Sequence, residues 1–186
     1  MDRREAVQYI SILLGGTLVG SSAFLSGCKT ETPTSMTFSA EDISWLDEVA
    51  DTILPATKTP GAKAAKVGQF MSVMVNDCYN ESDQKVFHKG IGQLNDYSKE
   101  NMGDTFLKLN PQQRNELLVK LDHDQKEYTK NKKKDESTHY FRMMKELTLL
   151  GYFTSEIGST QALRYVERPG RFDACIPYQK GDKAFA

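Results

Sequence analysis

Along residues 39–166 the apolar side chains recur at intervals of three and four, and nowhere do they alternate with polar ones over a strand's length. That spacing lays a stripe along an α-helix, so the chain is restricted to an all-α fold. The first stripe is Ile43, Leu46, Ala50 and Ile53, with Val49 and Leu54 beside it; Ser39 and Asp42 supply a capping-box start and Pro55 ends the run. Trp45 stands off the centre of this stripe and is read as a partly buried rim residue, where it can also meet a partner. Residues 55–61, PATKTPG, form a turn-rich elbow that holds two helices at a fixed angle. A second helix is predicted over 62–79, with Val67, Phe70, Met71, Met74, Val75 and Cys78 on one side.

A third, over 82–101, carries Val86, Phe87, Ile91, Leu94 and Tyr97 and ends at Gly103 in the place of a left-handed cap; Gly90 and Gly92 in its middle invite close helix contact. Asn110, Pro111 and Gln113 mark the start of a fourth, whose apolar face is Leu117, Leu118 and Leu121. Beyond Asp122 the charged stretch DHDQKEYTKNKKKDES reads as solvated surface or a loose loop. Ser137 or Thr138 then caps a fifth helix through Phe141, Met144, Leu147, Thr148 and Leu150 to Gly151. Residues 147–158 are dense in apolar and aromatic side chains, as a buried or docking segment would be, and a last short helix is expected over 161–166 before an irregular tail. The expected body is a compact bundle of about five or six helices.

Ahead of it, residues 1–27 read as a secretory leader: Arg3 and Arg4 precede an apolar run from Ile10 to Val19 that Gly15 and Gly16 interrupt. The run falls short of the roughly 20 apolar residues of a stable membrane span. The arginine pair resembles a twin-arginine leader, the route for folded cargo, although Asp2 and Ala6 replace the residues that family favours; an ordinary secretory leader is the alternative. Leu25-Ser26-Gly27-Cys28 resembles a bacterial lipobox, which makes Cys28 the expected lipidation site and places the protein on the periplasmic or cell-envelope side. Residues 28–38 then form a polar tether, and 39–186 the helical domain.

The 186 residues carry 24 basic and 25 acidic side chains, so no net field points to nucleic acid or an anionic membrane surface. Besides Cys28 there are Cys78 and Cys175, which in an oxidising compartment can pair with each other or bond a partner chain. Chemistry of the chain's own is hard to find. Gly90-Ile91-Gly92 sits in a helical pattern and not between strand and helix, and the cysteines stand too far apart for c-type haem attachment. Asp122-His123-Asp124 offers metal donors, but neighbours on a helix point in different directions.

Ala50-Asp51-Thr52-Ile53-Leu54-Pro55-Ala56-Thr57, Thr59-Pro60-Gly61-Ala62, Asp77-Cys78-Tyr79, Leu147-Thr148, the run GYFTSEIG over 151–158, Tyr165, Pro169-Gly170 and Cys175 together resemble the gluconate 2-dehydrogenase subunit 3 family. The resemblance implies an accessory small subunit beside a flavin-dependent large subunit of the glucose-methanol-choline type, sometimes with a cytochrome subunit. FAD is then expected in the partner, and no cofactor, metal or catalytic residue in this chain. Its implied role is to support folding, stability and co-export of a sugar or sugar-acid dehydrogenase. Tyr152 and Phe153, with Trp45, are the expected docking residues, and an acyl chain at Cys28 would anchor the complex to the membrane. The competing expectation is a free-standing lipoprotein helical domain that binds a ligand or an envelope protein.

Overall fold

The computed structural model describes residues 37–172 and 174–186. In chain order they form α1 (Ala40–Ile53), α2 (Val67–Cys78), α3 (Glu81–Met102), a 3-10 turn (Phe106–Lys108), α4 (Pro111–Asn131), α5 (Tyr140–Thr154) and a π-helical turn (Gly158–Ala162). Strand pairing among the described residues is confined to a bridge between Arg164 and Phe185, so the fold is all-α. No described helix is long and apolar enough to cross a membrane.

Local hydrogen bonding starts three of the helices where the sequence places them. Ser39 Oγ accepts from Asp42 N–H at 3.1 Å while Asp42 returns a carboxylate to Ser39 N–H at 2.9 Å. Asn110 and Gln113 make the same reciprocal pair at 2.9 and 3.1 Å, with Pro111 opening α4. At α3, Asn80 caps through Asp83 N–H, and Gly103 closes the helix at φ 83°. In the middle of α3, Gly90 lets Tyr140 approach so closely that a Cβ would lie 2.5 Å from its own Cβ. Gly92 faces open space instead.

Elsewhere the structure corrects the expected boundaries. Residues 62–66 form a turn, not the first part of α2: Lys66 takes a left-handed φ of 53°, and Asp47 of α1 caps the late start by accepting Gly68 N–H at 2.7 Å. The charged stretch after Asp122 is helical to Asn131, because Asp122 binds Lys126 one turn on and Lys145 of α5, while Gln125 is buried beneath it. Burial opposes ionisation of Asp122, but the two ammonium groups prevail and hold its pKa down to about 2. The final helical turn occupies Gly158–Ala162, ahead of the expected 161–166, and the chain is extended at Leu163. Phe38, assigned to the tether, stacks on His88 with ring centroids 4.0 Å apart and meets Phe87 edge-on, so the folded domain begins before Ser39.

The cap of α5 is His139, not Ser137 or Thr138; its Nδ1 accepts Phe141 N–H at 3.2 Å and its ring stacks on Tyr140. Burial lowers the His139 pKa below the usual 6.5, with Asp124 opposing, and a neutral ring is required for Nδ1 to accept. The contribution is therefore complete above pH 6.5 and is lost as pH falls through that value towards the lower folded one. His139→Asn, which keeps a cap without titrating, should lose less stability between pH 7.5 and 5.5 than the native chain. Equal losses in urea melts at the two pH values would contradict this role.

α5 is the central helix and meets each of the other α-helices. Phe141, Met144, Leu147, Thr148 and Tyr152 on its inner face join Leu46 and Val49 of α1, Met71 and Val75 of α2, Phe87 and Leu94 of α3 and Leu117 and Leu121 of α4 in one core. Each large side chain so buried contributes about 1.5–3 kcal/mol. Buried Thr148 satisfies its hydroxyl on Met144 O at 2.7 Å. Arg114 of α4 ties the periphery together. It donates to the carbonyls of Phe106 and Leu107 at 3.1 and 2.6 Å and to Glu48 of α1 at 2.6 Å, with its guanidinium over the Phe106 ring. Glu48 also takes Lys63, and these bonds, Lys63's the stronger, hold its carboxyl below the usual range against the opposing effect of burial.

Candidate functional site

The elbow after α1 is built by its own backbone. Leu54 N–H bonds Ala50 O, Thr57 N–H bonds Thr59 O, and Ala62 N–H returns to Leu54 O, each at 2.9 Å. This folds residues 55–60 into a tight projection with two prolines at its ends. Across from it, α5 runs out at Thr154 and the chain bends at Ser155, whose hydroxyl donates to Tyr152 O at 2.6 Å and accepts Gly158 N–H at 3.0 Å. The two segments are fastened together by Tyr152, which is 4 % exposed and donates its hydroxyl to Pro60 O at 2.6 Å.

Between them lies a cleft of about 260 Å³, walled by Leu54, Pro55, Thr57, Thr59, Pro60, Tyr152, Phe153 and Ala162. Phe153 stands edge-on to Tyr152, with ring centroids 5.2 Å apart and an interplanar angle of 78°, and is 37 % exposed. Three and four residues from it on the helix surface, Leu150 and Leu149 are also exposed, so the outer face of α5 carries an apolar strip to the lip of the cleft. Among the described residues no side chain in the wall is charged, so the cleft suits an apolar or aromatic side chain from another molecule and offers no described cation to a phosphate.

A scan of protein families matches residues 40–170 to gluconate 2-dehydrogenase subunit 3. The chain belongs to that family. No curated protein and no solved structure matches it. The family region contains the whole cleft, and the two segments that the sequence offers as separate blocks, 55–61 and 151–158, are the two walls of one site in this subunit 3 chain.

The remaining expected site residues are placed differently. Trp45 is 5 % exposed, packs on Phe106 of the 3-10 turn with centroids 5.8 Å apart and takes no part in the cleft, so it is a core residue and not a rim or docking one. Tyr152 is likewise buried and acts by bracing Pro60, which leaves Phe153 as the accessible member of the pair. Cys78, at the end of α2, and Cys175, in the C-terminal segment, are both exposed free thiols and are not bonded to each other. Arg3, Arg4 and Cys28 lie outside the described residues. Of the metal-donor triplet, Asp122 turns to Lys126 and Lys145, and Asp124 to the Tyr97 hydroxyl at 2.7 Å, so their carboxylates serve separate helix contacts. Tyr97 is pushed up to about 12 by burial and by that carboxylate. Ala162 was missed because a wall formed by the turn of another segment leaves no periodic trace in sequence; Leu149 and Leu150 fall in the stretch 147–158 expected to be buried or docking, and the structure exposes both, Leu150 against its place in the expected helix stripe.

Proposed function

We propose that this chain is the accessory small subunit of a periplasmic, membrane-associated dehydrogenase whose large subunit holds FAD, is of the glucose-methanol-choline type and oxidises a sugar or sugar acid. The observation that carries this reading is the family match over 40–170, which encloses the cleft and its apolar lip. A neutral, apolar cleft is suited to docking a protein surface, and FAD with its pyrophosphate is better served by the partner. Docking there would stabilise the large subunit through folding and export. The leader fits that role: Arg3 and Arg4 would carry a folded, flavin-loaded pair, and an acyl chain on Cys28 would hold the complex at the membrane, with or without a cytochrome subunit.

The test is purification of the tagged chain from its own membrane fraction. A flavin-containing polypeptide at one-to-one stoichiometry is expected, and recovery of the chain alone would refute the reading. In the same preparation, Phe153→Glu with Leu150→Glu should lower flavoprotein affinity about thirtyfold or more while leaving the melting curve unchanged, because both side chains already face solvent. A complex that survives the pair at native affinity would move docking away from this cleft.

A further inference from the structure

Among the described residues from Arg164 to Ala186 there is no helix, and every one is exposed. The segment is nevertheless closed on itself. Arg164 N–H bonds Ala184 O at 2.8 Å and Ala186 N–H bonds Arg164 O at 3.2 Å, while the Arg164 guanidinium lies 4.9 Å from the Phe185 ring centroid. Lys183 Nζ fastens the returning end to Gln161 O. Near the far side, Gln179 N–H bonds an Asp182 carboxylate oxygen at 2.8 Å and Asp182 N–H bonds Gln179 O at 3.0 Å, which shapes a turn. The result is a looped arm with a pinned neck.

This arm displays Phe172 at 91 %, Tyr178 at 76 % and Tyr165 at 56 % exposure, with Ile176 and Phe185 about half exposed. Aromatic side chains held in the open in this number mark a contact surface. The core and everything packed against it end at Ala162, so the fold does not need the arm. Its base is a wall of the cleft, because Ala162 lines that cleft and the arm starts two residues later. The family match, however, stops at residue 170, before Phe172, Ile176 and Tyr178.

A covering partner must suit both the arm's composition and the family. Tyr, Phe and Arg are the residues that dominate protein interfaces, and Glu167, Asp173 and Asp182 interrupt the basic residues, which fits a protein surface better than anionic lipid. A chain that is one subunit of a multisubunit enzyme has such a surface to meet. The cleft alone is small against the roughly 800 Å² per partner of a standard interface, and an arm continuous with it supplies the missing area.

We propose that residues 164–186 are a clasp that closes on the large subunit beside the cleft and sets this chain's preference for its own flavoprotein. The proposal rests on the small-subunit reading above: the cleft lies in the part shared by the family, and the clasp adds contacts from outside it. The experiment compares the full chain with a chain ending at residue 163 and with full-length Phe172→Asp/Tyr178→Asp, each titrated with the flavoprotein recovered in the purification above and with the large subunit of a related dehydrogenase. Both variants should retain the melting temperature of the helical domain, lose about tenfold or more in affinity for their own flavoprotein, and discriminate less between the two large subunits. If the intact chain brings no flavoprotein, the small-subunit reading fails and the clasp with it. If the intact chain brings it and both variants bind and discriminate as the native chain does, the clasp alone is wrong. Variants that keep native affinity but no longer bind phosphatidylethanolamine–phosphatidylglycerol vesicles would also overturn it, by assigning the arm to the membrane.

Discussion

Replacing Gly158 by alanine is expected to destabilise the fold by about 3 kcal/mol and to distort the cleft with it. A Cβ at this position would collide with the Tyr152 carbonyl oxygen and lie 2.7 Å from the carbonyl carbon. Neither side can yield cheaply. Tyr152 O is held by Ser155 through both its N–H and its hydroxyl, and Gly158 is fixed by Ser155 Oγ on one side and by Leu163 N–H on the other. Relief would have to come from moving the end of α5, which carries the Tyr152 to Pro60 bond and the Phe153 ring. Thermal melts should show a fall of roughly 6–12 °C for a domain of this size. Gly92→Ala is the control: with open space around it inside α3, it should gain up to about 1 kcal/mol from helix propensity. Comparable melting of the two variants would show that the close approach at Gly158 is not constraining.

Arg114→Ala is expected to cost about 3 kcal/mol, read from urea melts. One guanidinium serves two carbonyls of the 3-10 turn, the Glu48 carboxylate and the face of Phe106, and its side chain is only 16 % exposed. Its removal leaves the carbonyls of Phe106 and Leu107 without that donor and loosens the turn that covers Trp45. Glu48 keeps Lys63, which limits the loss. Arg114→Lys should recover less than half, because a single ammonium cannot reach three acceptors in a planar fork. An alanine variant within about 0.5 kcal/mol of the native chain would reduce the network to surface decoration.

These two residues also mark how far sequence could be read. Ser39, Asn110 and Gly103 were legible as helix ends because each acts within three or four residues of itself, where chain geometry alone brings donor to acceptor. The inward stripes were legible for the same reason, apart from Cys78 and Leu150, which the structure exposes. Arg114 was not, since its partner Glu48 is separated from it by 66 positions and neither stands out by type or spacing. The charged run after Asp122 read as solvated surface or a loose loop by composition; besides Lys126 one turn on, its helix is held by Lys145, 23 residues away, a partner that local composition does not show. Of the candidate site, the blocks 55–61 and 151–158 were both visible, but as separate segments whose roles were implied by resemblance.

Family membership, the all-α class and the capped starts of α1, α3 and α4 were determined by the sequence, because local hydrogen bonding and apolar period depend on near neighbours. The tertiary structure decided what those helices expose. It turned Trp45 inward under Phe106, bound Tyr152 to Pro60 across 92 residues, left Phe153 at the lip of a neutral cleft and closed the C-terminal arm through Arg164 and Phe185. Each of these depends on which side of one helix another segment reaches, and that is settled only when the whole core packs at once.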